Sequence, residues 1–291
     1  MSPALRSLAD TVLAGRFGAA HPSSWSPVGG GSINDAFQVY YGPHRVFAKT
    51  NSAVKFPQLF GQEKAGLDLL HACGALRTPA VIGAFETEGE QLLLLEWIAP
   101  GERTPAFWKR FGEELARQHA YTAQDFGLDT NNYMGSVPQS NRPHKDWISF
   151  FIDERLEPLR RKCSGALPSN TSALFERLYA ELPGIFPEAQ PPALLHGDLW
   201  SGNFLCSAEG DPVLIDPAVH FGHPAADLGL TTLFGGFDDL FYEAYHYHSP
   251  LPANHRLQWE VCNLYPLLIH LLLFGNSYLA PIRQTLQRFG R

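Results

Sequence analysis

The chain turns on His196-Gly197-Asp198-Leu199-Trp200-Ser201-Gly202-Asn203, followed by Ile215-Asp216-Pro217. Around it, Ala193-Leu194-Leu195, Phe204-Leu205-Cys206 and Val213-Leu214-Ile215 read as short apolar strands, with Glu209-Gly210-Asp211 as the turn joining the last two. The eight residues are thus a polar loop between strands, of the pattern H-x-D-x-x-x-x-N, with a second aspartate at a later strand end. Taken singly, Asp198 and Asn203 are ordinary turn formers. Taken together, the set supplies a carboxylate that can accept a hydroxyl proton, a neutral oxygen donor and an anionic one, which is what phosphoryl transfer requires. Asp198 is the expected base. Asn203 and Asp216 are the expected ligands of Mg²⁺, a hard cation that takes oxygen donors and leans on substrate phosphates.

Working towards the N-terminus, the pattern becomes β-rich. Leu5, Leu8, Val12 and Leu13 predict a short amphipathic helix. Trp25–Val28, Ala36–Tyr41 and Arg45–Thr50 then predict three strands, broken by Gly29-Gly30-Gly31-Ser32 and by Gly42-Pro43. Glycines let backbone N–H groups come close to phosphate, so Gly29, Gly30, Gly31 and Ser32 are candidates for covering a nucleotide's phosphates. A flexible hairpin turn explains the glycine run equally well, and G-x-x-x-x-G-K-[ST] is absent. Lys49, inside the apolar run Val46-Phe47-Ala48, needs a partner for its ammonium. Glu63, on a helix expected over Pro57–Ala72, is the obvious one. Ala80–Phe85 and Gln91–Ile98 read as two further strands.

Beyond Pro100-Gly101-Glu102 the chain is mainly helical, with helices expected over Pro105–Tyr121, Lys145–Lys162 and Thr171–Leu182 and three or four more after residue 223. The expected fold is α+β and bilobal. Residues 1–98 form a β-rich nucleotide-binding lobe with an antiparallel sheet, and 99–291 a helical catalytic and substrate lobe, with a hinge near 96–102 and a ligand cleft between them.

The bulk composition bounds the function. The 291 residues are 45% hydrophobic, with 20 Phe, 10 Tyr and 6 Trp, so a large core is expected and disorder is not. A net charge of −7 gives no basic face for nucleic acid. The four cysteines have no metal or redox spacing and read as reduced cytosolic thiols. His220, His223, His246, His248 and His270 lack a zinc-binding spacing. Asp227 reads as a brace for the catalytic loop. The first residues lack the apolar run of a signal peptide, and Leu264–Phe274 is too short to span a bilayer, so a cytoplasmic protein without a membrane partner is expected.

These residues resemble the fructosamine/ketosamine-3-kinases, relatives of aminoglycoside and choline kinases with a protein-kinase-like fold. The resemblance rests on Gly-Gly-Gly-Ser-Ile-Asn at 29–34, Phe-Ala-Lys at 47–49, the Glu63 helix and His-Gly-Asp-Leu-Trp-Ser-Gly-Asn at 196–203. It continues through Leu-Ile-Asp-Pro-Ala at 214–218, Gly-His at 222–223, Asp-Leu at 227–228, Leu-Phe-Gly-Gly-Phe at 233–237 and the His270–Gly275 segment. It implies ATP-dependent phosphorylation of the 3-hydroxyl of a ketosamine, free or protein-bound, and a link to protein deglycation. Carried over, Asp198 is the base, Asn203 and Asp216 the metal ligands, Lys49 the phosphate clamp and Glu63 its partner. Leu92–Ile98 resembles the strand that enters a kinase hinge, with the Glu96 carbonyl and Ile98 amide as adenine contacts. Trp200 is the expected stacking surface for the acceptor. The chain departs from the family at Ser32, where many members have Cys, and at Pro224-Ala225-Ala226, where many have Glu. Two alternatives stand beside this reading: a kinase of the same fold for an aminoglycoside or choline-like alcohol, and a nucleotide-binding pseudokinase scaffold. A monomer is expected.

Overall fold

A computed structural model describes residues 2–18, 21–29, 33–87, 89–187 and 190–289. Gly30, Gly31 and Ser32 lie outside the described residues. The N-terminal lobe runs α1 (Pro3–Phe17), β1 (Ser24–Pro27), β2 (Asp35–Tyr41), β3 (His44–Ser52), α2 (Leu59–Cys73), β4 (Val81–Glu86) and β5 (Glu90–Glu96). The strands form one antiparallel sheet in the order β1-β2-β3-β5-β4.

Strand alternation decides which helix each side chain meets. On one face Val39, Val46, Ala48, Leu92 and Leu94 pack under Leu5, Ala9 and Leu13 of α1. On the other, Phe47, Leu93 and Leu95 pack under Leu59, Phe60 and Leu67 of α2. Lys49 shares the parity of Phe47 and pairs with Leu93 in register, so its side chain faces α2. Helix α1 starts cleanly because Pro3 occupies its first turn and the Ser2 hydroxyl accepts from the Leu5 amide.

The C-terminal lobe begins with α3 (Pro105–His119), capped by Thr104. It continues through the hairpin β6 (Asn132–Met134) and β7 (Val137–Gln139), then α4 (Trp147–Phe150), π-helical residues Phe151–Leu156, α5 (Glu157–Lys162) and α6 (Thr171–Ile185). The single helix expected over Lys145–Lys162 is therefore a helix with a wide turn in the middle. That turn carries Arg155, which is buried and donates to the Asn141 side chain. Next come β8 (Ala193–Leu195), β9 (Phe204–Cys206), β10 (Pro212–Leu214) and β11 (His220–Gly222), paired β8 with β11 and β9 with β10. Among the described residues five α-helices follow, more than the three or four expected: α7 (Ala225–Leu233), α8 (Asp239–His248), α9 (His255–Cys262), α10 (Leu264–Phe274) and α11 (Leu279–Gln287).

Phe107 and Phe111 of α3, Phe204 of β9, and Phe237 and Phe241 at α8 stack into the aromatic centre of this lobe's core. Helices α9 and α10 together make one helical stretch, His255–Phe274, that is long and apolar enough to cross a membrane. Reading Leu264–Phe274 alone underestimated its length. Of its most apolar window 61% is buried inside the protein, where it forms core.

Candidate active site

The loop 196–203 joins β8 to β9, and Asp216 follows β10, so the β9–β10 hairpin, enclosed in sequence by the β8–β11 pair, brings the two parts of the motif together. Gly197 sits at φ +82°, and a Cβ there would lie 2.1 Å from the Ala218 carbonyl oxygen, so only glycine fits. The fold ties this loop down from beneath. Asp227, at the start of α7, accepts from the amides of His196 (2.7 Å) and Gly197 (2.8 Å). His119 Nε2 lies 3.3 Å from the same carboxylate, and His119 Nδ1 lies 2.8 Å from the Tyr245 hydroxyl. Burial works against the Asp227 charge, yet His119 and the loop amides more than offset it and hold the carboxyl below its usual range. His196 accepts from the Asp198 amide at Nδ1, so its Nε2–H donates to the Ile215 carbonyl (2.9 Å), linking the loop to the strand end before Asp216.

Asp198 receives the Asn203 side-chain N–H at 3.0 Å, and the same amide nitrogen donates to the Asp198 carbonyl (2.9 Å). Asn203 Oδ1 is left without a hydrogen bond among the described residues. Burial, then the neighbouring Asp216 carboxylate, push the Asp198 carboxyl up to about 7, against the Asn203 hydrogen bond that lowers it. A carboxylate of that basicity suits proton acceptance near neutral pH.

Asp216 adopts φ +55°, left-handed backbone that a non-glycine residue seldom takes, and its side chain stays 42% exposed. It meets the other lobe through Lys49. The Lys49 ammonium is 2.7 Å from Glu63 Oε1 and 2.5 Å from Asp216 Oδ1, while the residue is only 3% exposed. Burial alone lowers its pKa, but Asp216 and Glu63 outweigh burial and hold it above the usual lysine range. The lysine therefore keeps its charge inside the protein. Asn203 Oδ1 and the part-exposed Asp216 carboxylate, one oxygen of which already meets Lys49, fit a hard divalent cation that keeps several waters.

Trp200 is 38% exposed, with its ring laid over Gly202, where a Cβ would approach it to 2.3 Å. Its edge meets Phe234, which in turn contacts His270. At the hinge, the Glu96 carboxylate is engaged by Arg77 (2.6 Å) and the Ala80 amide (3.0 Å), while the Ile98 amide makes no hydrogen bond among the described residues. Gly29 is described, and the far end of its loop is anchored where Asn51 donates to the Asn34 side chain (2.6 Å) and the Ile33 carbonyl. Pro224-Ala225-Ala226 lies at the start of α7, directly before Asp227.

His119, Tyr245 and Asn51 escaped the sequence reading. Asn132 and Gln139, which donate to the Val219 and Ala218 carbonyls behind Asp216, escaped it as well. Their partners lie far along the chain, and nothing in their local patterns marks them.

The fructosamine kinase family model matches residues 7–290. A "Probable ketoamine kinase" of Lactiplantibacillus plantarum is 37% identical, with 90% of this chain and 93% of that protein covered. The chloroplastic protein-ribulosamine 3-kinase of Arabidopsis thaliana is 34% identical over 86% of this chain and 78% of that protein. A solved Thermobifida fusca structure named for a fructosamine-3-kinase superposes with a TM-score of 0.87 at 31% identity, covering 98% and 99% of the two chains. An aminoglycoside phosphotransferase, solved in a ternary complex with AMP-PNP and hygromycin B, shares the fold at TM-score 0.62 and 15% identity, over 97% and 96% of the two chains. The convergence of Lys49, Glu63, Asp198, Asn203 and Asp216 on one edge is what a phosphotransferase acting on a hydroxyl requires, and the chain belongs to the fructosamine kinase family.

Proposed function

We propose that the protein transfers the γ-phosphoryl group of ATP to the 3-hydroxyl of a ketosamine, the adduct of a sugar with an amine, free or on a protein. The observation that carries this is the Glu63–Lys49–Asp216 bridge beside Asp198, which joins a cation for phosphates to a base for a hydroxyl. The family and the ketoamine and ribulosamine kinases among its relatives support the acceptor class.

In this reading the described end of the glycine loop, at Gly29, lies over the phosphates, Lys49 binds their oxygens, and the Glu96 carbonyl and Ile98 amide take the adenine edge. Asn203 Oδ1 and the Asp216 carboxylate would hold Mg²⁺, which would supply positive charge for the phosphate oxygens. Asp198 hydrogen-bonds the acceptor hydroxyl and takes its proton as the new P–O bond forms and the β–γ bridging bond breaks, releasing ADP. Trp200 stacks on the sugar. Most of the catalytic effect then comes from positioning and fixed charge. Phosphate at C3 becomes a leaving group once the ketosamine enolises between C1 and C2, and the resulting imine hydrolyses to the free amine. That chemistry supports a role in deglycation. The four free thiols support a reducing, cytoplasmic setting, and a monomer is part of the same proposal.

The test is ATP consumption by the purified protein with Mg²⁺ and ribuloselysine, erythruloselysine, fructoselysine, an aminoglycoside or choline. Turnover on a ketosamine is expected. Turnover on the aminoglycoside or choline alone would move the acceptor class, and ATP binding without turnover on any acceptor would favour a scaffold.

A further inference from the structure

A cavity of about 260 Å³ lies in the C-terminal lobe, where the start of α7 meets the α8–α9 connection and the segment after α6. Phe186, Leu228, Tyr245, Leu251 and Trp259 give it apolar walls, and the small residue Ala225 leaves it open. Lys49, Asp198, Asn203 and Asp216 do not border it, so it is separate from the phosphotransfer site.

Its chemistry centres on His223, which is 7% exposed and borders the cavity. The Ala225 amide donates to His223 Nδ1 at 3.1 Å, so the neutral ring carries its proton on Nε2. Burial, with His119 next, pushes the pKa of this ring down to about 3, so it is neutral at physiological pH. The Nε2–H has no acceptor among the described residues and is open to water in the cavity, so an occupant's acceptor would take that water's place. The amides of Asn254 and Gln258, also in the wall, are already committed to the Ile185 carbonyl. Among the described lining residues there is no Lys, Arg, Asp or Glu, so these walls favour a neutral occupant.

From this geometry we infer that the cavity is a second ligand site, taking a neutral molecule with one aromatic ring and one hydrogen-bond acceptor. The ring packs against Phe186, Leu228 and Trp259, and the acceptor receives the His223 Nε2–H. The volume lies just below the usual range for ligand pockets, about 300–1,000 Å³, and limits the occupant to a single small ring system.

The test uses the full chain and two probes of nearly the same shape, acetophenone, which carries an acceptor, and ethylbenzene, which does not. Binding is followed through the ¹³C-methyl NMR signals of Leu228 and Ala225. Acetophenone should shift them saturably and bind about threefold to tenfold more tightly than ethylbenzene, the net gain of a hydrogen bond that replaces one to water. His223→Phe should erase the difference between the probes while ATP-dependent turnover stays within about twofold, since the residue touches none of the phosphotransfer groups. Ala225→Leu should fill the cavity and abolish binding of both. No saturable shift with either probe, or equal affinity of the two for the unmodified protein, would overturn the inference. The wild-type ratio decides even if His223→Phe does not fold.

Discussion

Asp216 and Asp227 belong to the same lobe, and the structure holds them in opposite ways. Asp227 is buried at the head of α7, and its oxygens take two backbone amides and face His119. Asp216 sits on left-handed backbone, part-exposed, with the Lys49 ammonium of the other lobe on one oxygen. The difference separates a carboxylate that fixes the loop from one that, in the proposed function, holds a ligand. A buried acceptor with its hydrogen bonds filled fixes the backbone around it. An exposed one in a strained conformation keeps coordinating capacity for a ligand. Asp198 stands between the two, positioned by the Asp227 region and raised in basicity by burial and by Asp216.

Substitutions can break or sharpen that contrast. The largest effect is expected at Asp198. Asp198→Asn should lower kcat by about 10³-fold, within the range for a lost general base, while nucleotide affinity measured by calorimetry changes little. An unchanged kcat would remove Asp198 from the chemistry. Asp216→Asn, which tolerates positive φ, should come next. It should raise the Mg²⁺ concentration for half-maximal rate by about tenfold or more and lower kcat about 10²-fold, with stability changed by less than about 1 kcal/mol. A normal Mg²⁺ titration would count against its role as a ligand.

Asp227→Asn should behave in the reverse manner. The loss of charge-assisted bonds to the loop amides should cost about 2–3 kcal/mol in urea unfolding and lower kcat about tenfold. The Mg²⁺ requirement should stay where it was; a shift would erase the distinction between brace and ligand. Trp200→Ala should give the smallest change. The acceptor KM should rise about tenfold, with nucleotide KM and stability near the parent values, as for one lost stacking surface at a part-exposed site. A rise in the nucleotide KM alone would put the indole on the wrong substrate.

The N-terminal sheet was legible because strand alternation and the glycine and proline breaks are local signals. The Lys49–Glu63 pair was legible too, because a lysine in an apolar central strand needs an acid and the next helix, α2, supplies Glu63. The 196–203 loop was legible because its residues are consecutive. The Lys49–Asp216 contact, which couples the lobes, spans 167 positions, and the His119–Tyr245 bond spans 126. No periodicity reaches that far, and His119 looks like any polar residue near a helix end. The Phe151–Leu156 wide turn was hidden for a related reason, since its buried Arg155 donates to the loop residues Ser140 and Asn141 as well as to the Glu154 carbonyl of the turn itself. The hydrophobic stretch ending at Phe274 could be sized only once α9 was seen to lead into α10.

The most direct test of the account is the position of the phosphate in the product. Fructoselysine and ribuloselysine, incubated with the protein, ATP and Mg²⁺, would be analysed by ³¹P–¹H correlation NMR. The account predicts a new phosphate ester coupled to the C3 proton, formed by the unmodified protein and absent with Asp198→Asn. Phosphate on any other carbon, or an ester formed equally well without the Asp198 carboxylate, would contradict it.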